Sequence, residues 1–339
     1  MIKLSVLDQS PVRSGGTAAQ AIDETIRLAQ KAESLGYHRY WLAEHHGTDG
    51  FAGSSPEIMV TRVAAATKQI RVGSGGVMLS HYSPLKVAEN FSLLENMFPD
   101  RIDLGIGRAP GSDGLTAAAL AYGNQLGIEY FPTKIADMTA FLSGKAPLSE
   151  PFKNVRATPV SPSLPELWLL GSSDQSASYA AHFGLAYSFA HFITPYSSEA
   201  IVEHYKENFR KSPANSKPKV NLGVFVICAD TMEEAEYLAS SRDFWRLKLG
   251  QGQHLPYPSP QEALDYAYTD HEKAIIEQNK MNRFVGDPEF IKNQLKALAR
   301  AHGAEELVIL TITYDFEARI RSYQLLAEAF GLKSQKDAA

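Results

Sequence analysis

The stretch Ile70-Arg71-Val72-Gly73-Ser74-Gly75-Gly76-Val77-Met78-Leu79 and its successor Arg101-Ile102-Asp103-Leu104-Gly105-Ile106-Gly107-Arg108-Ala109-Pro110-Gly111 decide the fold. Each is an apolar, partly β-branched run that breaks into glycine. Such runs, bounded by turn residues, read as strands buried on both faces, as in a parallel sheet. Glycines at the carboxyl end of a strand let a ligand approach the backbone, because no Cβ stands in the way. Arg108 ends the second run, where its charge is placed to meet an anion. Two neighbouring strands of this kind imply one ligand site at one end of a sheet.

Working outward, strand and helix patterns alternate along the whole chain. Strands are predicted at Ile2–Leu7, Tyr40–Ala43, Arg71–Val77, Arg101–Ile106, Leu167–Leu170, Leu185–Phe189, Asn221–Ile227 and Leu307–Thr311. Helices are predicted at Ala18–Leu35, Pro56–Thr67, Pro84–Met97, Asp174–His182, Ser197–Phe209, Met232–Leu249, Pro288–His302 and Phe316–Phe330. Gly36 suits a helix C-terminal cap, and Pro84 a first helical position. The count of strands favours an α/β (β/α)8 TIM barrel with insertions, in one domain spanning residues 1–339. A doubly wound open sheet is the competing architecture, since βαβ alternation by itself fits both. Three segments break the rhythm: Gly107–Gly127, rich in glycine and alanine; Gly144–Pro165, polar and proline-rich; and Gly250–Asn282. Loops of that length in compact domains are commonly functional.

Composition narrows the class. Of the 339 residues, 44% are hydrophobic and 21% charged, a globular balance. The net charge of −5 argues against nucleic acid or an anionic membrane as partner. A single cysteine, Cys228, excludes a disulfide framework and a cysteine-based zinc site. No apolar span reaches membrane-crossing length, and the chain enters its first strand at Ile2, so a cytoplasmic location is expected.

Barrels bind ligands at the carboxyl ends of their strands. The residues collected there are Asp8-Gln9-Ser10, Glu44-His45-His46, Ser74-Gly75-Gly76, Gly107-Arg108, Gly171-Ser172-Ser173, Ala190-His191 and Thr313. They are small and polar with few paired carboxylates, which suits a bulky flat cofactor better than acid–base hydrolysis. Gly171-Ser172-Ser173 opens a helix whose first turn carries Ser176. Helix N-termini favour phosphate, and these serines together with Arg108 add donors; the alternative is that Ser172 or Ser173 merely caps the helix. His45 and His46 follow one strand as successive residues, so they point to opposite faces and suit a common metal poorly. One of them lining a pocket is the natural acid–base candidate, against a purely structural role.

With these residues in hand, the chain resembles the bacterial luciferase-like family of flavin-dependent monooxygenases, in its single-subunit oxidoreductase subgroup. The resemblance lies in Tyr40-Trp41-Leu42-Ala43-Glu44-His45-His46, Ile70 to Val77, Arg101 to Arg108, Leu169-Leu170-Gly171-Ser172-Ser173 with Ser176, and Phe284-Val285-Gly286-Asp287-Pro288. It implies a TIM barrel binding FMN in its reduced form, supplied by a separate NAD(P)H:flavin reductase. It also implies a homo-oligomer, as dimers are common in the family, and a non-prolyl cis peptide at Gly75-Gly76 under the flavin ring. Arg108 maps onto a phosphate-contacting arginine, and Gly171, Ser172, Ser173 and Ser176 onto the phosphate-side loop and helix. Ser74, Gly75 and Gly76 map onto the ring-side strand end, and His45 onto a catalytic histidine. The segment Gly250–Asn282 falls where relatives carry a mobile lid.

The activity implied is oxygenation of a small organic substrate by reduced flavin and O2 through a flavin C4a-hydroperoxide, with two donors paired and molecular oxygen incorporated. Three positions depart from the pattern. Gly107 stands where light-emitting members carry a cysteine, which argues against bioluminescence. Ser172 replaces an acidic residue, and Ala109-Pro110-Gly111-Ser112-Asp113 replaces a stretch typical of F420-dependent members, which favours FMN. The alternatives are a non-catalytic flavin-binding protein, an F420-dependent oxidoreductase on the same barrel, and a metal-dependent hydrolase using His45 or His46.

Overall fold

In the computed structural model, which describes residues 2–122 and 128–333, eight parallel strands close into a ring. They are β1 (Lys3–Asp8), β2 (Arg39–Leu42), β3 (Arg71–Met78), β4 (Ile102–Gly107), β5 (Glu166–Gly171), β6 (Ala186–Ala190), β7 (Val220–Cys228) and, after a short β8 (Phe284–Gly286), β9 (Glu306–Leu310). Each of β1 to β6 pairs with the next, β6 with β7, β7 with β9, and β9 back onto β1. β8 pairs only with the end of β7, at Val226–Cys228, and lies outside the ring. The fold is a (β/α)8 TIM barrel. No helix among the described residues is long and apolar enough to cross a membrane.

The local signals act as their chemistry dictates. The helix Ala18–Leu35 opens on a Thr17/Gln20 capping box and ends at Gly36 with φ +86°. A Cβ at Gly36 would fall 2.3 Å from the Lys333 carbonyl oxygen, so both conformation and space call for glycine there. The helix Pro84–Met97 has the bounds read from sequence.

The differences lie in the segments between strands. A helix, Gly114–Ala121, forms inside the expected Gly107–Gly127 loop, residues 123–127 of which lie outside the described residues. Asp113 nucleates it by accepting the amides of Leu115 and Thr116, a cap signal obscured by the surrounding glycines. The helix Phe131–Leu142 was not anticipated; it buries Phe131, Ile135, Met138, Phe141 and Leu142 against the helix Pro84–Met97 and serves as the outer helix following β4. Within residues 250–282, the helices Pro260–Asp265 and Asp270–Asn279 each start at a capping box, Ser259/Glu262 and Thr269/Glu272.

Side chains inside the ring form layers. At the amino end sits a buried charge network. Arg39 on β2 donates to Asp103 on β4 and to Glu306 on β9, each at 2.7 Å, and lies 3.6 Å from Glu166 on β5. Arg71 reaches the other Asp103 oxygen, the Trp41 indole donates to Asp103 at 2.8 Å, and Ser5 to Glu306 at 2.6 Å. Burial works to raise the Glu166 carboxyl, but Arg39, Lys219 and Arg71 more than offset it and hold the group at about 2. Above this floor, Trp41 and Trp168 pack edge to face at 5.3 Å and flank the Arg39 guanidinium.

Arg39 therefore links three strands that are distant in sequence. Removing one partner of a buried pair strands the others in low dielectric, at about 3–5 kcal/mol. Arg39→Leu is expected to lower unfolding free energy by about that amount, read as a fall in urea midpoint. A midpoint within experimental error of wild type would contradict the role given to the network.

Candidate active site

Across the carboxyl end of the barrel the interior residues become small. Register pairs Trp41 with Gly73, Gly73 with Asp103, Gly105 with Trp168 and Gly107 with Leu170. Glycines thus occupy successive inward positions of β3 and β4. Gly223 on β7 and Ser188 and Ala190 on β6 continue this opening. The result is a cavity of about 370 Å³ reaching from Leu7 and Trp41 at its base to Arg108 and Ser172 at its rim. Its size falls in the range of small-molecule sites.

The glycines divide into two kinds. Gly75 and Gly76 have no room for a side chain: a Cβ would fall 2.7 Å from Leu7 and 2.9 Å from Trp41 at Gly75, and 2.8 Å from the Gly105 carbonyl oxygen at Gly76. The peptide joining them is cis. Gly107 differs, since a Cβ there would meet only Met78 Sδ, at 3.6 Å. A side chain at residue 107 would enter the cavity, so glycine here keeps a ligand's space clear.

One rim of the cavity gathers a cation beside a helix amino end. Arg108 leaves the end of β4 half-buried, meets no carboxylate among the described residues, and donates to the Gln175 side chain on the helix Asp174–Phe183. That helix starts beside it at Ser173, whose hydroxyl accepts the Ser176 amide while Ser176 Oγ takes the Ser173 amide. Ser176 Oγ also donates to the Ser173 carbonyl at 2.6 Å and bonds the Tyr187 hydroxyl at 2.9 Å. Ser173 and Ser176 are therefore committed to the cap, whereas the Ser172 hydroxyl makes no hydrogen bond among the described residues. Gly171 permits the turn, because a Cβ would fall 2.3 Å from Ser176 Oγ. A guanidinium that meets no carboxylate, a hydroxyl without a hydrogen bond and a helix N-terminus converge on one edge.

Another wall belongs to the segment after β2, which packs beside the segment after β4 through the His46 amide and the Gly111 carbonyl. Glu44 is fully buried and accepts the Met78 amide at 2.9 Å, the Tyr82 hydroxyl at 2.6 Å and His46 Nε2 at 2.8 Å. It fastens the end of β2 to the end of β3 and gives His46 a structural partner. His45 faces the cavity. Its Nε2 lies 3.5 Å from Gln9 Nε2, its ring packs on Phe51 at 4.6 Å, and its Nδ1 is buried with no hydrogen-bond partner among the described residues. Burial, and then the His46 charge, pull the imidazole down to about 4. It is neutral at pH 7.

Of the residues anticipated from sequence, His45, Gly75, Gly76, Arg108, Gly171, Ser172, Ser173 and Ser176 all line this cavity. Ser74 does not: it is fully buried, donating to the Gly105 carbonyl at 2.8 Å and accepting the Gly105 amide. It locks β3 to β4 beside the glycines. Asp8 is also withdrawn, held by Arg319 at 2.8 Å and by the Tyr40 hydroxyl. A second cavity, of about 310 Å³, adjoins the first through Gln9, His45, Phe192 and Ile193 and is walled by Phe51, Trp245 and Tyr257. Sequence reading collected Gln9, His45 and His46 at the strand ends but did not reach Arg242, Trp245, Arg246 and Leu249, which the helix Met232–Gly250 adds to the lining and where nothing local distinguishes a pocket wall from packing.

The carboxyl mouth of the (β/α)8 barrel thus holds a backbone-lined cradle with a cationic rim and an adjoining chamber. Comparison with known proteins gives the family. Residues 2–306 match the luciferase-like monooxygenase family model. The protein YwcH of Bacillus subtilis (strain 168) is 46% identical over 331 residues, covering 97% of this chain and 99% of the relative. N-acetyl-S-alkylcysteine monooxygenase of the same organism is 37% identical over 330 residues, covering 97% and 98%. The crystal structure of apo-MsnO8 superimposes with a TM-score of 0.90 at 39% identity, covering 98% of this chain and 99% of that one. The chain belongs to the luciferase-like monooxygenase family, a family of oxidoreductases.

The depressed His45 sets a pH dependence. Its folded value, about 4, lies below the ordinary 6.5, so the unfolded chain takes up a proton that the folded one refuses. Stability is lost as pH falls from 6.5 toward 4, and the loss is complete below that window. His38 and His191, also drawn to about 4 by burial first, act with the same sign. Relative to wild type, His45→Asn should gain stability on going from pH 7.5 to pH 5, read as the difference in denaturant midpoints. A difference that does not move would mean that His45 titrates normally.

Proposed function

We propose that the chain is a monooxygenase that uses reduced FMN and dioxygen to oxygenate a small organic substrate. The carrying observation is the cradle itself: a slot held open at Gly107, floored by Gly75 and Gly76, and ended by Arg108 and Ser172. A planar ring fits against backbone where no Cβ can stand, and a phosphate fits the rim where charge and free donors meet. Reduced FMN, when bound, supplies the electrons that activate dioxygen for transfer of one oxygen atom.

The residues of the chain divide the remaining work. Arg108, the Ser172 hydroxyl and the amino end of the helix Asp174–Phe183 hold the phosphate. Ser173, Ser176 and Gly171 position that end, and Ser74 fixes the glycine floor through Gly105. His45, neutral and lining both cavities, serves as the hydrogen-bonding residue at their junction. Residues 250–282 serve as the lid that excludes water, with His254 and Tyr257 in the wall of the second cavity. In this reading one barrel domain acts in the cytoplasm as a homodimer and receives reduced flavin from a separate NAD(P)H:flavin reductase. The adjoining chamber favours an enzyme over a flavin carrier, which needs no room for a substrate.

Anaerobic titration separates the cofactors. The protein is expected to bind reduced FMN in preference to reduced F420; the reverse order would replace the FMN reading with the F420 one. Arg108→Ala should weaken FMN by about 1–3 kcal/mol, the scale of a hydrogen bond to a charged group, and unchanged affinity would remove Arg108 from the phosphate site. Gly107→Leu should fill the cradle and prevent flavin binding while leaving the thermal midpoint within a few degrees of wild type. Undiminished binding in that variant would place the ring elsewhere.

A further inference from the structure

The second cavity carries a charge that the flavin cradle does not require. The helix Met232–Gly250 presents Arg242, Trp245, Arg246 and Leu249 to it, spaced so that they share one helical face. The lining is otherwise mostly aromatic and aliphatic, with Phe51, Phe192, Phe225, Leu310 and Ile312 among it. Two guanidinium groups in such a chamber call for an explanation, because a charge withdrawn from water is costly unless it is paired.

The pairing is incomplete. Asp243 is the buried carboxylate shared by this cluster, 3.5 Å from Arg242 and 3.3 Å from Arg283. Glu236, half-exposed, takes Arg283 as well. Arg242 also lies over the Phe225 ring, 4.3 Å from its centre. Arg246 has neither in direct contact: its Nε is buried with no hydrogen-bond partner among the described residues, it forms no ion pair among them, and Asp243 acts on it only at longer range. Burial, and then the neighbouring Arg246 charge, push Arg242 down to about 10, and burial lowers Arg246 despite the Asp243 charge. Arg246 thus lacks a carboxylate in direct contact, and the far end of the chamber opens onto the flavin cradle at His45.

We infer that the second cavity binds an organic acid, with its carboxylate on Arg246 and its apolar body along Phe192 and Trp245 toward His45. This rests on the oxygenase reading for the direction in which the substrate points, but the anion subsite itself does not involve flavin. A carboxylate on Arg246 would supply that contact and give specificity, since a neutral analogue leaves the half-buried guanidinium without an ion-pair partner.

The test uses the full-length protein without flavin and compares hexanoate with hexanamide, which share their chain and differ in charge. Binding is followed by calorimetry and by fluorescence, for which Trp245 is a reporter in the chamber wall. Hexanoate should bind at least tenfold more tightly than hexanamide. Arg246→Gln should bring the ratio to about one, and Arg246→Lys should retain part of it. Equal affinities in wild type, no saturable hexanoate binding, or an unchanged ratio in Arg246→Gln would each overturn the proposal. Reduced FMN titrated into the same wild-type and Arg246→Gln preparations keeps the two readings apart. FMN should bind both equally, and a wild type that selects hexanoate yet fails to bind reduced FMN would sink the flavin reading while leaving the subsite standing.

Discussion

An eight-stranded barrel is only wide enough for its own side chains to fill, so one that holds a ligand must leave part of its interior empty. Here that constraint is met by placing bulk and charge at one end and glycine at the other. Arg39, Asp103 and Glu306 tie together β2, β4 and β9 across the amino end, and Trp41 and Trp168 cover them. Above that plug, Gly75 and Gly76 line the cavity with backbone where no side chain fits, and Gly107 leaves the space at the carboxyl end clear. The cavity depends on the plug, because a barrel with neither would lose its interior packing altogether.

The opening also explains why the surrounding polar residues are arranged as they are. Residues facing a glycine-lined space lack side-chain neighbours of their own, so their positions are fixed from behind. Glu44 anchors the segment after β2 to the Met78 amide and Tyr82, Ser74 clasps Gly105, and the Ser173–Ser176 box sets the helix that faces Arg108. Of the polar side chains along the rim, the Ser172 hydroxyl makes no hydrogen bond among the described residues, and the Arg108 guanidinium meets only Gln175.

The ring of strands was legible because each is a short apolar run between turn residues, and the caps at Gly36 and Pro84 marked helix ends well. The cavity was legible where strand ends mark it, as with Gly75, Gly76, Gly107 and Arg108, all of which line it. Residues whose roles depend on distant partners were not. Arg39 reads as an ordinary charged residue before a strand until Asp103 and Glu306 are brought to it. Ser74 looked like a ligand contact because it adjoins Gly75, yet strand alternation turns it outward from the cavity. Phe131–Leu142 escaped notice because its apolar spacing follows a glycine-rich stretch. Arg242 and Arg246 gave no local sign that their helix face lines a chamber.

The most direct measurement preloads the protein with reduced FMN without oxygen and then mixes it rapidly with oxygenated buffer. A site that encloses the flavin and controls its oxygen chemistry should reoxidise it more slowly than free reduced FMN under the same conditions, with little free hydrogen peroxide released. Reoxidation at the rate of free flavin, with peroxide formed in equal amount, would contradict an oxygenase built on this cradle.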